Sequence, residues 1–217
     1  MIPTKSALLL GATGLTGGHV LDLLLISEIY QTVTIYVRKP TGIHHPKLVE
    51  KIVDYDYWQE AVVADDVFCC LGTTIKKAKT KEAFTKVDLL YPVRIAQLQY
   101  KAGSKKFSVV SAMGIAKDSF FFYSRVKAEM EEQLQQIGYE SLFIFRPSLI
   151  TGNRKEHRAG ESISIRLFTL INPLLMGPLR KYKSVSAKAI AKAMFHEAQT
   201  DNRGTQILLS DELRKFE

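Results

Sequence analysis

Three side chains in the middle of the chain have the chemistry and the spacing of a proton-transfer site. Tyr123 and Lys127 are four residues apart in a stretch with helical periodicity, so the phenol and the ammonium share one helix face. Because a nearby cation favours the phenolate, such a pair can donate a proton to a carbonyl oxygen or accept one from an alcohol. Ser111 directly follows a short apolar run and can hold the same substrate oxygen. Tyr–Lys pairs of this spacing also occur on ordinary amphipathic helices, so the three residues indicate catalysis only together with a binding site.

A glycine-rich loop near the beginning of the chain predicts that binding site. An apolar run leads directly into three glycines at every third position, and an amphipathic stretch follows at once. Glycines let the backbone approach a pyrophosphate closely, and the beginning of the following helix attracts the anion. A glycine-rich turn without a ligand is the alternative. The residues that we expect to contact the cofactor here are Gly11, Ala12, Thr13, Gly14, Leu15, Thr16 and Gly17.

The end of the next predicted strand bears on which dinucleotide binds. Proteins that prefer NAD usually place Asp or Glu there, where it binds the 2′-hydroxyl of the ribose. Here the strand ends in Arg38 and Lys39 instead of a carboxylate. Each charge-assisted hydrogen bond to a 2′-phosphate contributes about 1.5–3 kcal/mol, so we predict NADP(H) rather than NAD. The alternative is that both side chains only mark the exposed end of a strand.

Two further segments hold candidate cofactor contacts. Asp54 follows the third apolar run and is either an acceptor for the adenine amino group or a solvated loop carboxylate. Leu71, Gly72 and Thr73 come at the end of the fourth apolar run, at the edge where open α/β sheets bind their ligands. Gly72 would let the backbone pass close to the cofactor ribose, and an ordinary loop glycine is the alternative.

The elements that must position these residues alternate along the chain. Short apolar runs predict strands at residues 7–10, 32–37, 51–53, 67–71, 107–110, 141–145 and 206–209. Amphipathic stretches predict helices at residues 14–26, 81–101, 121–137 and 186–198. This alternation is typical of βαβ units, so the predicted fold class is α/β with a doubly wound parallel sheet. We expect one domain over residues 1–217, in which residues 148–183, interrupted by five glycines and prolines, form a small irregular or helical cap beside the substrate.

Composition and charge exclude several classes of protein. The 217 residues are 46% hydrophobic and 24% charged, which excludes a disordered tail, a collagen-like chain and a disulfide scaffold. The net charge is +8, but the basic clusters lack interleaved aromatic residues, so we expect no nucleic-acid partner. The two cysteines, Cys69 and Cys70, are adjacent, which makes a disulfide or a CxxC metal site implausible. Apolar runs stay shorter than the ~18 residues of a membrane helix, so we expect no membrane span. The sparse cysteines indicate a reducing, cytoplasmic environment. We also expect no metal, because no set of ligands has the spacing of a metal site.

Taken together, these segments resemble those of an atypical short-chain dehydrogenase/reductase of the Tat-interactive oxidoreductase group. The segments that carry the resemblance are Gly11-Ala12-Thr13-Gly14-Leu15-Thr16-Gly17-Gly18, Phe68-Cys69-Cys70-Leu71-Gly72-Thr73-Thr74, Val109-Val110-Ser111-Ala112-Met113-Gly114, Phe121-Phe122-Tyr123-Ser124-Arg125-Val126-Lys127-Ala128-Glu129-Met130-Glu131 and Phe145-Arg146-Pro147-Ser148. The resemblance implies a Rossmann-type domain that binds NADPH, with Lys127 bonded to the nicotinamide ribose. It implies Ser111, Tyr123 and Lys127 as the catalytic residues, and backbone contact with the nicotinamide amide after Pro147.

The sequence departs from this pattern in one predicted helix. The best-known short-chain reductases have an Asn there that completes a proton relay, whereas this chain has Asp88. Asp88 either replaces that Asn or leaves the relay incomplete. The chain after Arg146 is also short beside that of sugar-nucleotide epimerases, which counts against a large nucleotide-sugar substrate.

The function predicted from these features is NADPH-dependent reduction of a small carbonyl compound. One alternative is a regulator in which bound NADPH alters the binding of a protein partner. The other is an epimerase-like enzyme that acts on a nucleotide-linked sugar and retains its cofactor. The Tyr123–Lys127 pair favours catalysis, because a sensor would not need it.

Overall fold

The computed structural model describes residues 4–152 and 182–217. Its centre is a sheet of seven parallel strands in the order β3-β2-β1-β4-β5-β6-β9. These strands are β1 (Lys5–Leu10), β2 (Tyr30–Val37), β3 (Leu48–Ile52), β4 (Asp66–Cys69), β5 (Lys106–Val110), β6 (Ser141–Arg146) and β9 (Gly204–Leu209). Two short strands, β7 (Ile150–Thr151) and β8 (Val185–Ser186), pair with each other in parallel. The predicted doubly wound parallel sheet is therefore confirmed.

Helices cover both faces of the sheet. They are α1 (Leu15–Ile26), α2 (Ile75–Ala78), α3 (Lys81–Thr85), α4 (Tyr91–Lys101), α5 (Phe122–Gln135), α6 (Ala187–Glu197) and α7 (Ser210–Leu213). A π-helical turn, Lys86–Leu90, joins α3 to α4, and a 3-10 turn, Arg214–Phe216, follows α7. None of the described helices is long and apolar enough to cross a membrane.

The apolar run of β1 shows how the sequence builds two cores from one sheet. Ala7 and Leu9 face a cluster that contains helices α1 and α6, whereas Leu8 and Leu10 face a cluster that contains α4 and α5. All four side chains are buried. Successive residues of a strand point to opposite faces, so a strand covered on both sides must be apolar at every position.

Most predicted elements agree with the structure to within two residues at each end, and two differ more. The third strand begins at Leu48, three residues before the predicted beginning, because its exposed positions hide the apolar pattern. The predicted helix at 81–101 is interrupted by the π-helical turn, in which the Tyr91 N–H donates to the Lys86 carbonyl. Pro92 lies just beyond the turn and has no N–H for the preceding turn of the helix, so a regular α-helix is disrupted here. Most of the cap expected at 148–183 falls on residues 153–181, outside the described residues.

At the amino ends of the strands, a buried polar cluster ties α6 to the sheet. The Lys5 ammonium lies 3.1 Å from the Asp66 carboxylate, and we call this ion pair the amino-edge pair. The buried Tyr30 hydroxyl donates to the same carboxylate at 2.7 Å and accepts from the Gln199 amide at 2.8 Å. Lys5 also donates to the carbonyl of Ala198, just after α6. Every polar group named here has a partner, which is what burial of such groups requires.

Candidate active site

The glycine loop after β1 forms a backbone cradle that has no room for side chains at two positions. Gly11 adopts a φ of +78°, and a Cβ placed on it would lie 2.6 Å from the Cys70 carbonyl oxygen. A Cβ on Gly17 would lie 2.0 Å from the Gly11 carbonyl oxygen. Helix α1 begins immediately afterwards, and Gly14 at its N-cap supplies no side-chain cap. A helix of this length whose first turn has no side-chain cap is suited to binding an anion such as pyrophosphate.

Basic residues lie where the second strand ends. Arg38 and Lys39 directly follow β2, and both side chains are exposed. Arg38 is close enough to the buried Tyr55 phenol to lower its pKa, although burial outweighs this effect and the pKa of Tyr55 is raised overall. The Tyr55 hydroxyl donates to the Tyr36 carbonyl at 2.9 Å, which holds the loop after β3 against β2. Neither the Arg38 nor the Lys39 side chain makes a hydrogen bond or an ion pair within residues 4–152 and 182–217, so a contact with a 2′-phosphate stays a prediction.

Asp54 lies after β3, as the sequence predicts, and its carboxylate organises its own loop. The side chain accepts a hydrogen bond from the Asp56 N–H at 3.0 Å. Its carbonyl oxygen accepts from the N–H groups of Tyr57 and Trp58. Asp54 remains exposed, so a contact with adenine stays a prediction.

The loop after β4 is connected to the centre of the site by an acidic side chain. The Thr73 N–H donates to Asp88 Oδ2 at 2.8 Å. A Cβ on Gly72 would lie 3.5 Å from Asp88 Oδ1, which is an ordinary contact distance. The absence of a side chain at Gly72 is therefore not required by the described packing, unlike at Gly11 and Gly17. Leu71 packs against the core beneath this loop.

The three predicted catalytic residues lie at the carboxyl ends of the strands. Ser111 directly follows β5, its N–H donates to the Phe145 carbonyl at 2.7 Å, and its side chain is buried. Tyr123 lies in the first turn of α5 with 38% of its surface exposed, and its ring packs 5.6 Å from that of Phe84. Lys127 lies one turn further along α5 and is buried. Ser111 Oγ is buried without a hydrogen-bond partner in the described parts of the chain, which suits it to a ligand.

Lys127 and Asp88 form a second buried ion pair, which we call the carboxyl-edge pair. Lys127 Nζ lies 2.9 Å from Asp88 Oδ1, and the two side chains are only 5% and 1% exposed. Burial by itself would lower the pKa of Lys127, but the adjacent Asp88 carboxylate raises it above its usual range. Burial also raises the pKa of Tyr123, Lys127 lowers it, Asp88 raises it, and the net direction is upward. Tyr123 is therefore a protonated phenol at neutral pH, beside the Lys127 ammonium.

The remaining predicted contact, Pro147, lies just after β6. Its carbonyl accepts from the Met113 N–H at 3.0 Å, so it joins the segments that follow β5 and β6. Arg146, the residue before it, donates to the buried Glu131 carboxylate from Nε, at 3.1 Å to each oxygen, and from Nη2 at 2.5 Å. This pair fixes α5 to the end of β6. No local sequence pattern predicts this ion pair, because its partners belong to different elements.

Two side chains next to Tyr123, which the sequence analysis did not select, fix the loop before α5. The Ser124 hydroxyl accepts from the Ala116 N–H at 2.9 Å and donates to the Gly114 carbonyl. Arg125 donates to the carbonyls of Ser119 and Phe120. Their position in the first turn of the helix was the available signal, because polar side chains there often bind the preceding loop.

Metal ligands are not assembled in this part of the chain. Within residues 4–152 and 182–217, no three His, Cys, Asp or Glu side chains are grouped to hold a metal ion. Cys69 and Cys70 are both free thiols.

The sequence profile of a protein family described as NAD(P)H-binding matches residues 11–162, which is most of the chain. The chain belongs to this NAD(P)H-binding family. One of its relatives is the HTATIP2 protein of Rattus norvegicus, which is 33% identical over 76% of this chain and 70% of that protein. The mitochondrial FMP52 protein of Candida albicans is 32% identical over 73% of each chain.

Solved structures agree with the fold of this NAD(P)H-binding chain. An ADP-L-glycero-D-manno-heptose-6-epimerase from Helicobacter pylori superposes with a TM-score of 0.70 at 12% identity, over 98% of this chain and 81% of the epimerase. MoeE5, solved with UDP-glucose and NAD, gives 0.68 at 16% identity, over 96% and 79% of the two chains. At such low identity the likeness establishes the fold alone. With the family match, it identifies an NAD(P)H-binding domain of this α/β fold.

Proposed function

We propose that the protein is an NADPH-dependent reductase of a small carbonyl compound. The observation that carries this proposal is the unpartnered Ser111 hydroxyl at the same sheet edge as Tyr123 and the charged Lys127. A buried hydroxyl without a partner costs free energy, so it is expected to bind something when the protein works.

The residues present fit a dinucleotide cofactor. The cradle at Gly11 and Gly17 excludes side chains and faces the uncapped first turn of α1, so Gly11, Ala12, Thr13, Gly14, Leu15, Thr16 and Gly17 would hold the pyrophosphate. Arg38 and Lys39 would hold the 2′-phosphate, and Asp54 the adenine. The ribose and nicotinamide would contact Leu71, Gly72, Thr73, Tyr123, Lys127 and Pro147.

In the proposed reaction, side chains of this protein donate the proton and stabilise the charge that remains. The reduced nicotinamide supplies the hydride when it is bound. Tyr123 donates its phenolic proton to the carbonyl oxygen, while the Ser111 hydroxyl holds the same oxygen by a hydrogen bond. The Lys127 ammonium stabilises the phenolate that remains on Tyr123. Because the pKa of Tyr123 is raised, its proton is available throughout the neutral range.

The test is the consumption of NADPH with a panel of small aldehydes, ketones and quinones, with Tyr123→Phe as the control. We expect consumption by the wild-type protein that disappears in the control. NADPH that binds tightly without turnover would favour the regulator instead. Cofactor that survives purification and is regenerated in each cycle would favour the epimerase-like reaction.

The preference for NADPH is tested separately at Arg38. We expect Arg38→Ala to weaken NADPH binding by at least about tenfold and to leave NADH binding unchanged, because one charge-assisted hydrogen bond contributes about 1.5–3 kcal/mol. Titration calorimetry with both nucleotides measures this. Equal affinity of the wild-type protein for NADH and NADPH would contradict the assignment.

We also retain a cytoplasmic location as a prediction, on the basis of the two free thiols. Fungal relatives carry the word mitochondrial in their names. Fluorescence microscopy of the tagged full chain in its own cells distinguishes the two locations.

A further inference from the structure

The π-helical turn presents Asp88 to the site. In the turn Lys86–Leu90 the Tyr91 N–H bonds to the carbonyl five residues back, which adds one residue to the turn. Asp88 and Leu89 face inward and are buried, whereas Leu90 is 48% exposed. Such turns are frequent at functional sites because they re-aim individual side chains.

Asp88 joins two segments that are expected to contact the cofactor. One carboxylate oxygen lies 2.9 Å from Lys127 Nζ on α5. The other accepts from the Thr73 N–H, in the loop after β4, at 2.8 Å. Both oxygens of a buried carboxylate are thus bound, which fixes its orientation.

The charges that face Lys127 come from three elements. Asp88 belongs to the π-helical turn, Tyr123 to α5 and Cys69 to β4. Burial raises the pKa of Cys69 to about 11, so this thiol is neutral at physiological pH. With Tyr123 also protonated, Asp88 carries the negative charge that balances the buried ammonium among these groups.

We propose that Asp88 is a positioning residue that keeps Lys127 charged and in place, and that its negative charge sets the pH range over which Tyr123 donates a proton. This proposal rests on the proposed reductase function. Asp88 in the π-helical turn would then bind Lys127 as a charged carboxylate, at the position where the best-known short-chain reductases have a neutral Asn.

Removing the negative charge of Asp88 should lower the pH at which Tyr123 loses its proton. Without the Asp88 charge, the Tyr123–Lys127 pair carries a net positive charge and releases its first proton at lower pH. A phenolate on Tyr123 would then replace Asp88 as the counterion of Lys127. Proton donation by Tyr123 would be lost at a lower pH than in the wild-type protein.

The experiment compares Asp88→Asn with Asp66→Asn, which alters the half-buried amino-edge pair. Asparagine keeps the shape of the side chain and an acceptor for the Thr73 N–H. Tyrosine labelled at 13Cζ reports phenol ionisation by NMR, with the Tyr123 signal assigned by its loss in Tyr123→Phe. We expect the Tyr123 midpoint to fall by about one pH unit or more in Asp88→Asn and to stay unchanged in Asp66→Asn.

Turnover gives a second measure. We expect kcat of Asp88→Asn to stay close to the wild-type value at neutral pH and to decline at high pH about one pH unit earlier than in the wild type, because Tyr123 loses its proton at a lower pH. KM for the carbonyl compound should change much less. A folded Asp88→Asn protein with an unchanged Tyr123 midpoint would overturn the proposal.

A measurement on the unaltered protein covers the case in which the variant does not fold. Lysine labelled at 15Nζ reports the charge of Lys127, which should persist to the pH at which Tyr123 ionises. A neutral Lys127 at pH 8 in the wild-type protein would overturn the proposal. Neither NMR titration requires turnover. Full turnover by Tyr123→Phe would contradict Tyr123 as the proton donor of the proposed function, whereas the two titrations decide separately whether Asp88 controls the charges of Tyr123 and Lys127.

Discussion

The same sheet carries a Lys–Asp pair at each end of its strands, half-buried at the amino ends and buried at the carboxyl ends. The surroundings of the two pairs differ. In the amino-edge pair, Asp66 accepts from Lys5 and Tyr30, and Lys5 also reaches the Ala198 carbonyl. In the carboxyl-edge pair, Asp88 is fully bound, but the edge also holds a buried hydroxyl of Ser111 without a partner in the described residues.

The difference separates a structural network from a candidate active site. A cluster in which all polar groups are satisfied has nothing left to offer a ligand. A charged pair beside a half-exposed phenol, and beside a hydroxyl that lacks a partner in the described residues, is suited to binding a ligand. The same substitution should therefore reduce turnover at the carboxyl edge and reduce stability at the amino edge.

Removing a phenolic hydroxyl at the carboxyl edge should give the largest change. In Tyr123→Phe we expect NADPH-dependent turnover to fall by at least about 10²-fold, because the proton donor is lost. The midpoint temperature of unfolding should stay within one degree or so, because the ring still packs on Phe84. Steady-state rates and calorimetry check both, and full turnover would contradict the assignment of Tyr123.

The matched change at the amino edge is Tyr30→Phe. This hydroxyl bonds to Asp66 and Gln199 while fully buried, so its loss should lower the free energy of unfolding by about 1–3 kcal/mol. For a chain of this size that corresponds to a drop of roughly 2–4 °C per kcal/mol. Turnover at 25 °C should match the wild type, and a large loss of turnover would erase the distinction between the edges.

Two buried serines sharpen the comparison further. We expect Ser111→Ala to reduce turnover by about tenfold, which corresponds to one hydrogen bond, without loss of stability, because its hydroxyl has no partner within the described residues. Ser104→Ala should do the reverse, since the Ser104 hydroxyl donates to the Ala64 carbonyl at 2.6 Å. Its loss should cost about 1 kcal/mol of unfolding free energy. Urea unfolding and steady-state rates of both variants measure these effects. A destabilised Ser111→Ala protein would contradict the view that the Ser111 hydroxyl is kept for a ligand.

The smallest effect expected is that of moderate changes in pH on carbonyl reduction. The pKa of Tyr123 is raised, so the proton donor is present below that pKa and is lost only as the pH rises through it. Between pH 6 and 8 we expect kcat to change by less than about twofold. A rate of reduction that increases above pH 8 would show that the donor is a different group.

The parts of this structure that the sequence predicted are those with local signals. Alternating apolar and amphipathic segments indicated the parallel sheet, and the spacing of Gly11, Gly14 and Gly17 indicated the cradle. The four-residue interval by itself predicts Tyr123 and Lys127 on one face of α5. In each case the relevant residues are neighbours along the chain, so periodicity alone determines their relation.

The tertiary structure decided what surrounds those residues. Asp88 and Lys127 meet only because a π-helical turn and the packing of α5 bring their elements together. Lys5 and Asp66 are 61 positions apart, and Arg146 reaches Glu131 across two elements. Whether a buried charge is satisfied or available depends on such distant partners, because solvent exclusion and hydrogen-bond geometry are properties of the packed chain and leave no periodic trace in the sequence.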